Sequence, residues 1–310
     1  MHVVATAGHV DHGKSTLIKA LTGTDPDRLE EEKARGLTID LGFAGAKLPS
    51  SRGVSFIDVP GHVRFLKNML AGVGGVDACI FVVAATEGWK PQSEEHLRIL
   101  SLLGIRHGIV ALTKVGHVDD ELATIAQMEI ADRTEGTFLA DAPIVPVDAI
   151  DGHGMDDLKA ALDQLLDVTP TARDDKKPRL WIDRVFAAKG AGTVVTGTLT
   201  GGMVRVEDEL SLLPQHAAVR VRGLQSQYAD RTKVGPGNRV AANLSGVSRD
   251  QLRRGDVLVR PDDWHVTRTV DASLRVLESL DRPVTRRGAH LLYLGSGEHP
   301  VRVRVLGPDA

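Results

Sequence analysis

Gly8-His9-Val10-Asp11-His12-Gly13-Lys14-Ser15 is the stretch on which the reading of this 310-residue chain turns. It has the form G-x-x-x-x-G-K-[ST]. It follows the apolar run HVVATAG that begins at His2, and it precedes a helix-like stretch from Ser15 to Leu21. Strand, glycine-rich turn and helix in that order make a phosphate-binding loop. Glycines let backbone N–H groups approach phosphate oxygens, and the positive end of the following helix favours negative charge. Lys14 can reach the terminal phosphates, and Ser15 offers a hydroxyl to Mg²⁺. Gly8, His9, Val10, Asp11, His12, Gly13, Lys14, Ser15 and Thr16 are therefore the expected phosphate-binding set.

Outward from the loop, strand-like and helix-like stretches alternate. VSFIDVPG from Val54, ACIFVVAA from Ala78, HGIVALTK from His107 and PIVPV from Pro143 read as buried strands. Between them lie helix-like stretches from His62 to Leu70, from Ser93 to Leu103 (closed by Gly104) and from Met155 to Leu166. This predicts an α/β domain over residues 1–170, a doubly wound, mostly parallel sheet with ligands at the carboxyl ends of its strands. The single cysteine, Cys79, lies in ACIFVVAA; it excludes a disulfide scaffold and is expected to pack in the core.

Asp58-Val59-Pro60-Gly61-His62 closes the strand VSFID. An aspartate there can hold Mg²⁺ through water, and Gly61 can turn its N–H toward a γ-phosphate. Thr38, in the glycine-bounded segment EEKARGLTID, can close over the γ-phosphate and Mg²⁺. Ser15, Thr38 and Asp58 are the expected metal set.

A polar, proline-bounded stretch, TPTARDDKKP from Thr169 to Pro178, predicts a linker at 171–178. Short β-rich runs follow: RLWIDRVF from Arg179, GTVVTGTLTGG from Gly192, VEDELSLLP from Val206, AVRVRGLQ from Ala218, NRVAANLSG from Asn238 and GDVLV from Gly255. Their spacing predicts a β-barrel over 179–262, with part of a second β-barrel over 263–310. Charge divides at the same place. Before Pro178 there are 18 basic and 27 acidic residues, a net −9; from Pro178 on there are 20 and 14, a net +6, and 18 of those 20 are arginine. Such a half can hold an RNA backbone, or can simply be a solvated arginine-rich surface. No signal peptide or membrane-length apolar run occurs, so a cytoplasmic monomer away from membranes is expected.

GHVDHGKS, RGLTID and DVPGH together resemble translational GTPases of the elongation factor Tu type. Longer strings are similar to the selenocysteine-specific elongation factors: ATAGHVDHGKSTL, DRLEEEKARGLTIDLGFA, FIDVPGHVRFLKNMLAGVGGVDA, QSEEHL, RLWIDRVFAAKGAGTVVTGTLTGG and GNRVAANLSG. The likeness covers roughly residues 1 to 260 well and the rest loosely. It implies GTP/GDP and Mg²⁺ as ligands, GTP hydrolysis, and selenocysteinyl-tRNA and the ribosome as partners. It implies that His62 positions the attacking water between an apolar gate of Val10 and Ile39. It implies an aminoacyl pocket of Asp183, Arg184 and Arg239. A messenger RNA hairpin is expected only through winged-helix modules that this chain lacks. A selenolate is anionic at neutral pH, and arginine suits an anionic side chain.

The resemblance breaks where the base is read. [NT]-K-x-D is expected after HGIVAL; the chain has Thr113-Lys114-Val115-Gly116. The second base-reading loop, commonly Ser-Ala, is Asp148-Ala149. Losing two charge-assisted bonds to guanine would cost about 3–6 kcal/mol, roughly 10²- to 10⁴-fold in affinity. Asp119 and Asp148 are the acids that could compensate. Gly116 and the short third β-rich stretch leave two other readings open. One is a degenerate or truncated paralogue that binds nucleotide or tRNA with weak guanine specificity; the other is a general aminoacyl-tRNA elongation factor.

Overall fold

The computed structural model describes residues 2–26, 38, 40–61, 68–69, 75–188, 192–276, 284–285 and 288–305. His62, Ile39, most of EEKARGLTID and most of the expected helix from His62 to Leu70 lie outside the described residues.

Six strands form the first sheet: β1 (His2–Ala7), β2 (Gly42–Lys47), β3 (Gly53–Asp58), β4 (Ala78–Ala84), β5 (Gly108–Thr113) and β6 (Ile144–Pro146). Their order is β2-β3-β1-β4-β5-β6. Only β2 is antiparallel, pairing with β3; β1, β3, β4, β5 and β6 run parallel. Successive strand residues point to opposite faces, and here both faces are apolar. Val3 and Ala5 join one core with Phe81, Val83, Leu97, Leu100 and Ile130. Val4 joins the other with Leu17, Ile18, Ile80, Val82, Leu158 and Leu162. Helices α1 (Lys14–Thr22) and α4 (Met155–Val168) cover the second face; α2 (Pro91–Leu102) and α3 (Asp120–Thr134) cover the first. The chain leaves β1 on one side for β3 and returns on the other for β4. The carboxyl end of β1 is therefore a topological switch point, where such sheets bind ligands.

The sequence reading did not single out α3. Its apolar residues are not gathered on one face: Leu122, Ile125 and Met128 are exposed, while Ala126, Ile130 and Thr134 are buried.

The second sheet is antiparallel. Strands β7 (Arg179–Ala188), β8 (Gly192–Thr200), β10 (Glu209–Leu213), β11 (Ala217–Ser226), β14 (Asn238–Ser245) and β15 (Val257–Val259) follow the order β10-β15-β7-β8-β14-β11. A β10–β11 pairing closes the barrel, which removes open edges. Short strands β9 (Val204–Arg205), β12 (Ala229–Arg231) and β13 (Lys233–Val234) decorate it. Leu180, Ile182, Val195, Leu199, Leu212, Val221, Val240 and Leu258 fill the interior. The stretch between α4 and β7 holds neither helix nor strand, yet Asp175 and Lys177 both donate to the Gly201 carbonyl at 3.0 and 2.9 Å. It is tied to the end of β8.

Beyond the barrel the described residues hold one two-stranded hairpin, β16 (His290–Leu294) and β17 (Gly297–Val301). Its turn lies against the barrel. Ser296 Oγ donates to the Ile182 carbonyl at 2.5 Å, and Gly295, at φ 58°, sits where a Cβ would enter the Trp181 ring. Gly295→Val is expected to undock this hairpin, faster amide exchange over 290–301 and a red-shifted tryptophan emission being the readouts, at a cost of about 1–3 kcal/mol. Unchanged exchange would show that the turn does not seat on Trp181.

Candidate functional site

The phosphate loop runs from the end of β1 to the start of α1. Three of its residues need positive φ: Gly8 at 130°, Asp11 at 62° and Gly13 at 85°. Gly8 is held under β4, since a Cβ there would collide with the Val82 carbonyl. Lys14 is buried, and its Nζ donates to the carbonyls of Gly8 (3.1 Å) and His9 (2.6 Å). Gly61 lies against this lysine; a Cβ on it would stand 2.6 Å from Val10 N and would strike Lys14 Nζ. Thr16 is exposed on the first turn of α1.

Two residues to which the sequence reading assigned no role brace the loop from α2. His96 Nδ1 accepts the Gly8 N–H at 3.0 Å, and Gln92 Oε1 accepts the Val10 N–H at 3.2 Å. The string QSEEHL was the available signal; nothing local in it says that two of its side chains reach back about 80 residues. Burial pushes the His96 imidazole down to about 3, helped by the Lys14 ammonium and by His9, so the ring is neutral and its Nδ1 is an acceptor. Burial likewise pushes His12 down to about 3, and His9 and His12 meet edge to face at 5.0 Å.

Ser15, Thr38 and Asp58, each at least 20 residues from the next in sequence, converge beside the lysine. Ser15 Oγ donates to Asp58 Oδ2 at 2.6 Å and lies 2.8 Å from Thr38 Oγ1. Thr6 Oγ1 donates to Asp58 Oδ1 at 2.7 Å and accepts the Val59 N–H at 3.2 Å. Asp58 is completely buried.

The base-reading positions adjoin the same loop. Thr113 Oγ1 donates to the His12 carbonyl at 2.7 Å. Lys114, at φ 60°, pairs with Glu87 at 3.6 Å. Asp148 and Ala149 follow β6; Asp148 packs beside the turn of Gly116, and Ala149 packs on the core with Val147 and Leu158. Asp119 caps α3, accepting the Leu122 N–H at 2.8 Å.

On the barrel, β7 bulges between Ile182 and Arg184. Asp183, the extra residue, accepts from Thr196 Oγ1 at 2.8 Å and takes a two-pronged ion pair from Arg239 on β14, which also donates to Thr198 Oγ1 at 3.1 Å. Arg184 does not join that pair. It donates to the Leu41 carbonyl and lies 3.4 Å from Asp40, two residues beyond Thr38. Phe43 on β2 covers both arginines, its ring centre 3.9 Å from the Arg239 guanidinium and 4.8 Å from that of Arg184. The structure thus brings Asp183 and Arg239 together, sets Arg184 beside them, and adds Phe43 and Asp40, which the sequence reading did not name.

The sequence profile of the elongation factor Tu GTP binding domain matches residues 1–168, and that of elongation factor Tu domain 2 matches residues 192–259. The chain belongs to the elongation factor Tu family. Within it, the chain is 43% identical over 307 residues to the selenocysteine-specific elongation factor of Desulfomicrobium baculatum, covering 99% of this chain and 48% of that protein. The crystal structure of a bacterial selenocysteine-specific elongation factor superposes with a TM-score of 0.80 at 43% identity, covering 84% of this chain and 45% of that one. Elongation factor SelB from Methanococcus maripaludis, solved with the GTP analogue GppNHp, gives 0.76 at 33% identity over 84% and 55%. The chain therefore spans about half the length of the relatives it matches. No described helix is long and apolar enough to cross a membrane.

A neutral buried His96 makes stability pH-dependent. Its folded value lies near 3, below the 6.5 of an exposed imidazole. The unfolded chain therefore takes up the proton first, and stability is full above pH 6.5 and falls as pH drops from there toward 3. The slope is about 1.4 kcal/mol per pH unit at most. His96→Gln keeps an acceptor near the Gly8 N–H and is expected to flatten the loss of melting temperature between pH 7 and pH 5. An unchanged slope would show that other groups carry it.

Proposed function

We propose that this chain binds GTP and GDP with Mg²⁺ at the phosphate loop, hydrolyses GTP, and carries selenocysteinyl-tRNA to the ribosome in the cytoplasm. The observation that carries the nucleotide part is the convergence of Lys14, Ser15, Thr38, Asp58 and Gly61 at the end of β1. The cluster of two hydroxyls and a carboxylate fits a hard, oxygen-seeking cation, so Ser15, Thr38 and Asp58 would hold Mg²⁺. Bound there, Mg²⁺ supplies charge neutralisation to the β- and γ-phosphate oxygens. Lys14 adds a cation at the mouth of the loop, and Gly61, packed against it, would turn its N–H to a terminal phosphate. His62, from the family resemblance, would orient the attacking water, between Val10 and Ile39.

The cargo reading rests on the barrel face and on the relatives' names. Asp183 holds the Arg239 guanidinium by two bonds and Thr198 takes a third, leaving its remaining N–H groups for an anionic side chain. Arg184 would link this face to the nucleotide, because the Asp40 and Leu41 that receive it lie two and three residues beyond Thr38.

Lys14→Ala is expected to abolish GDP binding in calorimetry, and His62→Ala to slow hydrolysis tenfold or more with affinity nearly unchanged; equal GDP affinity in wild type and Lys14→Ala would show that the site is misassigned. The triphosphate-bound chain should protect selenocysteinyl-tRNA from ester hydrolysis better than seryl-tRNA, and Arg239→Ala should narrow that difference, with Lys not a full substitute. Equal protection of both esters by wild type would sink the cargo assignment.

A further inference from the structure

We propose that Asp148 has taken over the guanine-reading carboxylate that Gly116 lacks, so that the acid reaches the base from the second loop instead of the first. The inference rests on nucleotide binding at the phosphate loop, and it names the group that selects the base there.

Gly116 lies in a single helical turn, Val115–His117, just after β5, and Asp148 lies just after the neighbouring parallel strand β6. The two loops are laced together: Val147 N–H donates to the Leu112 carbonyl at 2.8 Å and Val115 N–H to the Val147 carbonyl at 3.5 Å. A Cβ on Gly116 would stand 2.9 Å from Asp148 Oδ2 and 3.6 Å from its carboxyl carbon. The carboxylate thus occupies the space into which a side chain at 116 would grow.

The group is placed, not merely nearby. Asp148 is 4% exposed. Its Oδ1 accepts the Ile150 N–H at 3.0 Å, its own N–H donates to the His153 carbonyl at 2.9 Å, and its carbonyl accepts the Gly152 N–H at 3.0 Å. Among the described residues nothing donates to Oδ2. Oδ2 is not sealed from solvent, and with the second lone pair of Oδ1 it is left for donors; guanine presents two side by side, N1–H and the 2-amino group. Adenine sets a bare N1 acceptor at the same edge and is repelled. Asp119 is committed to capping α3. Asp151, 3.5 Å from the same Cβ position through Oδ2, is exposed and uses Oδ1 for the His153 N–H at 2.8 Å.

The two substitutions are coupled. With Asp148 in place, an acid at 116 would press one carboxylate against another; with Asp148 reduced to serine, the first-loop position reopens. Calorimetric titration of this chain with GDP, xanthosine diphosphate and ADP, with Mg²⁺ present, tests this. Wild type is expected to prefer GDP over ADP by about 10²-fold or more. Asp148→Asn keeps the Ile150 bond and should invert the preference toward xanthosine diphosphate, because its amide donates to the 2-oxo group while its oxygen still accepts N1–H. Gly116→Asp alone should weaken GDP binding, and Gly116→Asp with Asp148→Ser should restore it. An Asp148→Asn protein that melts like wild type and keeps the wild-type ratio of GDP to xanthosine diphosphate affinity overturns the proposal. So does a Gly116→Asp protein that binds GDP more tightly. Failure of the phosphate-loop reading looks different, since no nucleotide would then bind wild type, or Lys14→Ala would change nothing.

Discussion

A buried carboxylate at the end of β3 organises the nucleotide end of the molecule. Asp58 is out of contact with solvent, and an ionised carboxylate there is tolerable only with donors on both oxygens. Thr6 on β1 supplies one and Ser15 on α1 the other, with Thr38 joined through Ser15. One side chain therefore fixes the spacing of a central strand, the helix that receives the phosphates and the segment reaching toward the barrel. Breaking any one bond would leave a buried charge under-satisfied, so the elements are held in register by the cost of separating them. His96 and Gln92 complete the constraint from the other side by accepting loop N–H groups.

The contact between the first sheet and the barrel follows from the same segment. Asp40 and Leu41 receive Arg184, Asp40 and Asn68 receive Arg254, and Phe43 lies over Arg184 and Arg239. Gly75 approaches Thr198 and Thr200 so closely that a Cβ would stand 2.7 Å from Thr198 Cγ2. These contacts are polar and cationic rather than oily. Such an interface is loosened at modest cost when one strip of chain moves. The strip that begins at Thr38 meets Ser15 at one end and the arginines of the barrel at the other, and an element in contact with both sites is a physical requirement for coupling them.

What could be read from the sequence follows how local each constraint is. Gly8 to Ser15 was legible because close approach of backbone to phosphate needs glycines at fixed offsets, and the parallel sheet because HVVATA and ACIFVVA are apolar on both faces. Helix α3 was not, because Leu122, Ile125 and Met128 face outward and spoil the periodicity on which helix recognition depends. Strand β2, GFAGAK, is too small-residued to announce itself. The pairing of Asp183 with Arg239 spans 56 residues and was visible only through family resemblance. Phe43 was invisible for the same reason, since its role is set by a contact with a distant domain. Residues 62 and 39 carry roles that still rest on resemblance.

The arginine-rich second half gains a different meaning from these contacts. Arg179 stacks 4.4 Å from Trp264 and 5.7 Å from Trp181, and burial lowers its pKa. Arg184, Arg239 and Arg254 hold the barrel face against the first sheet, Arg260 donates to the Lys176 carbonyl, and Arg220 pairs with Glu207. Six of the 18 arginines of this half are therefore engaged in contacts within the protein, where a planar fork with several donors can hold a carbonyl, a carboxylate and an aromatic face at once. Lysine could not hold those geometries, which gives these six positions a reason to be arginine apart from any RNA backbone. The same property lets Arg239 serve the barrel and the proposed cargo together: Asp183 fixes one edge of its guanidinium, and the fork geometry aims the rest.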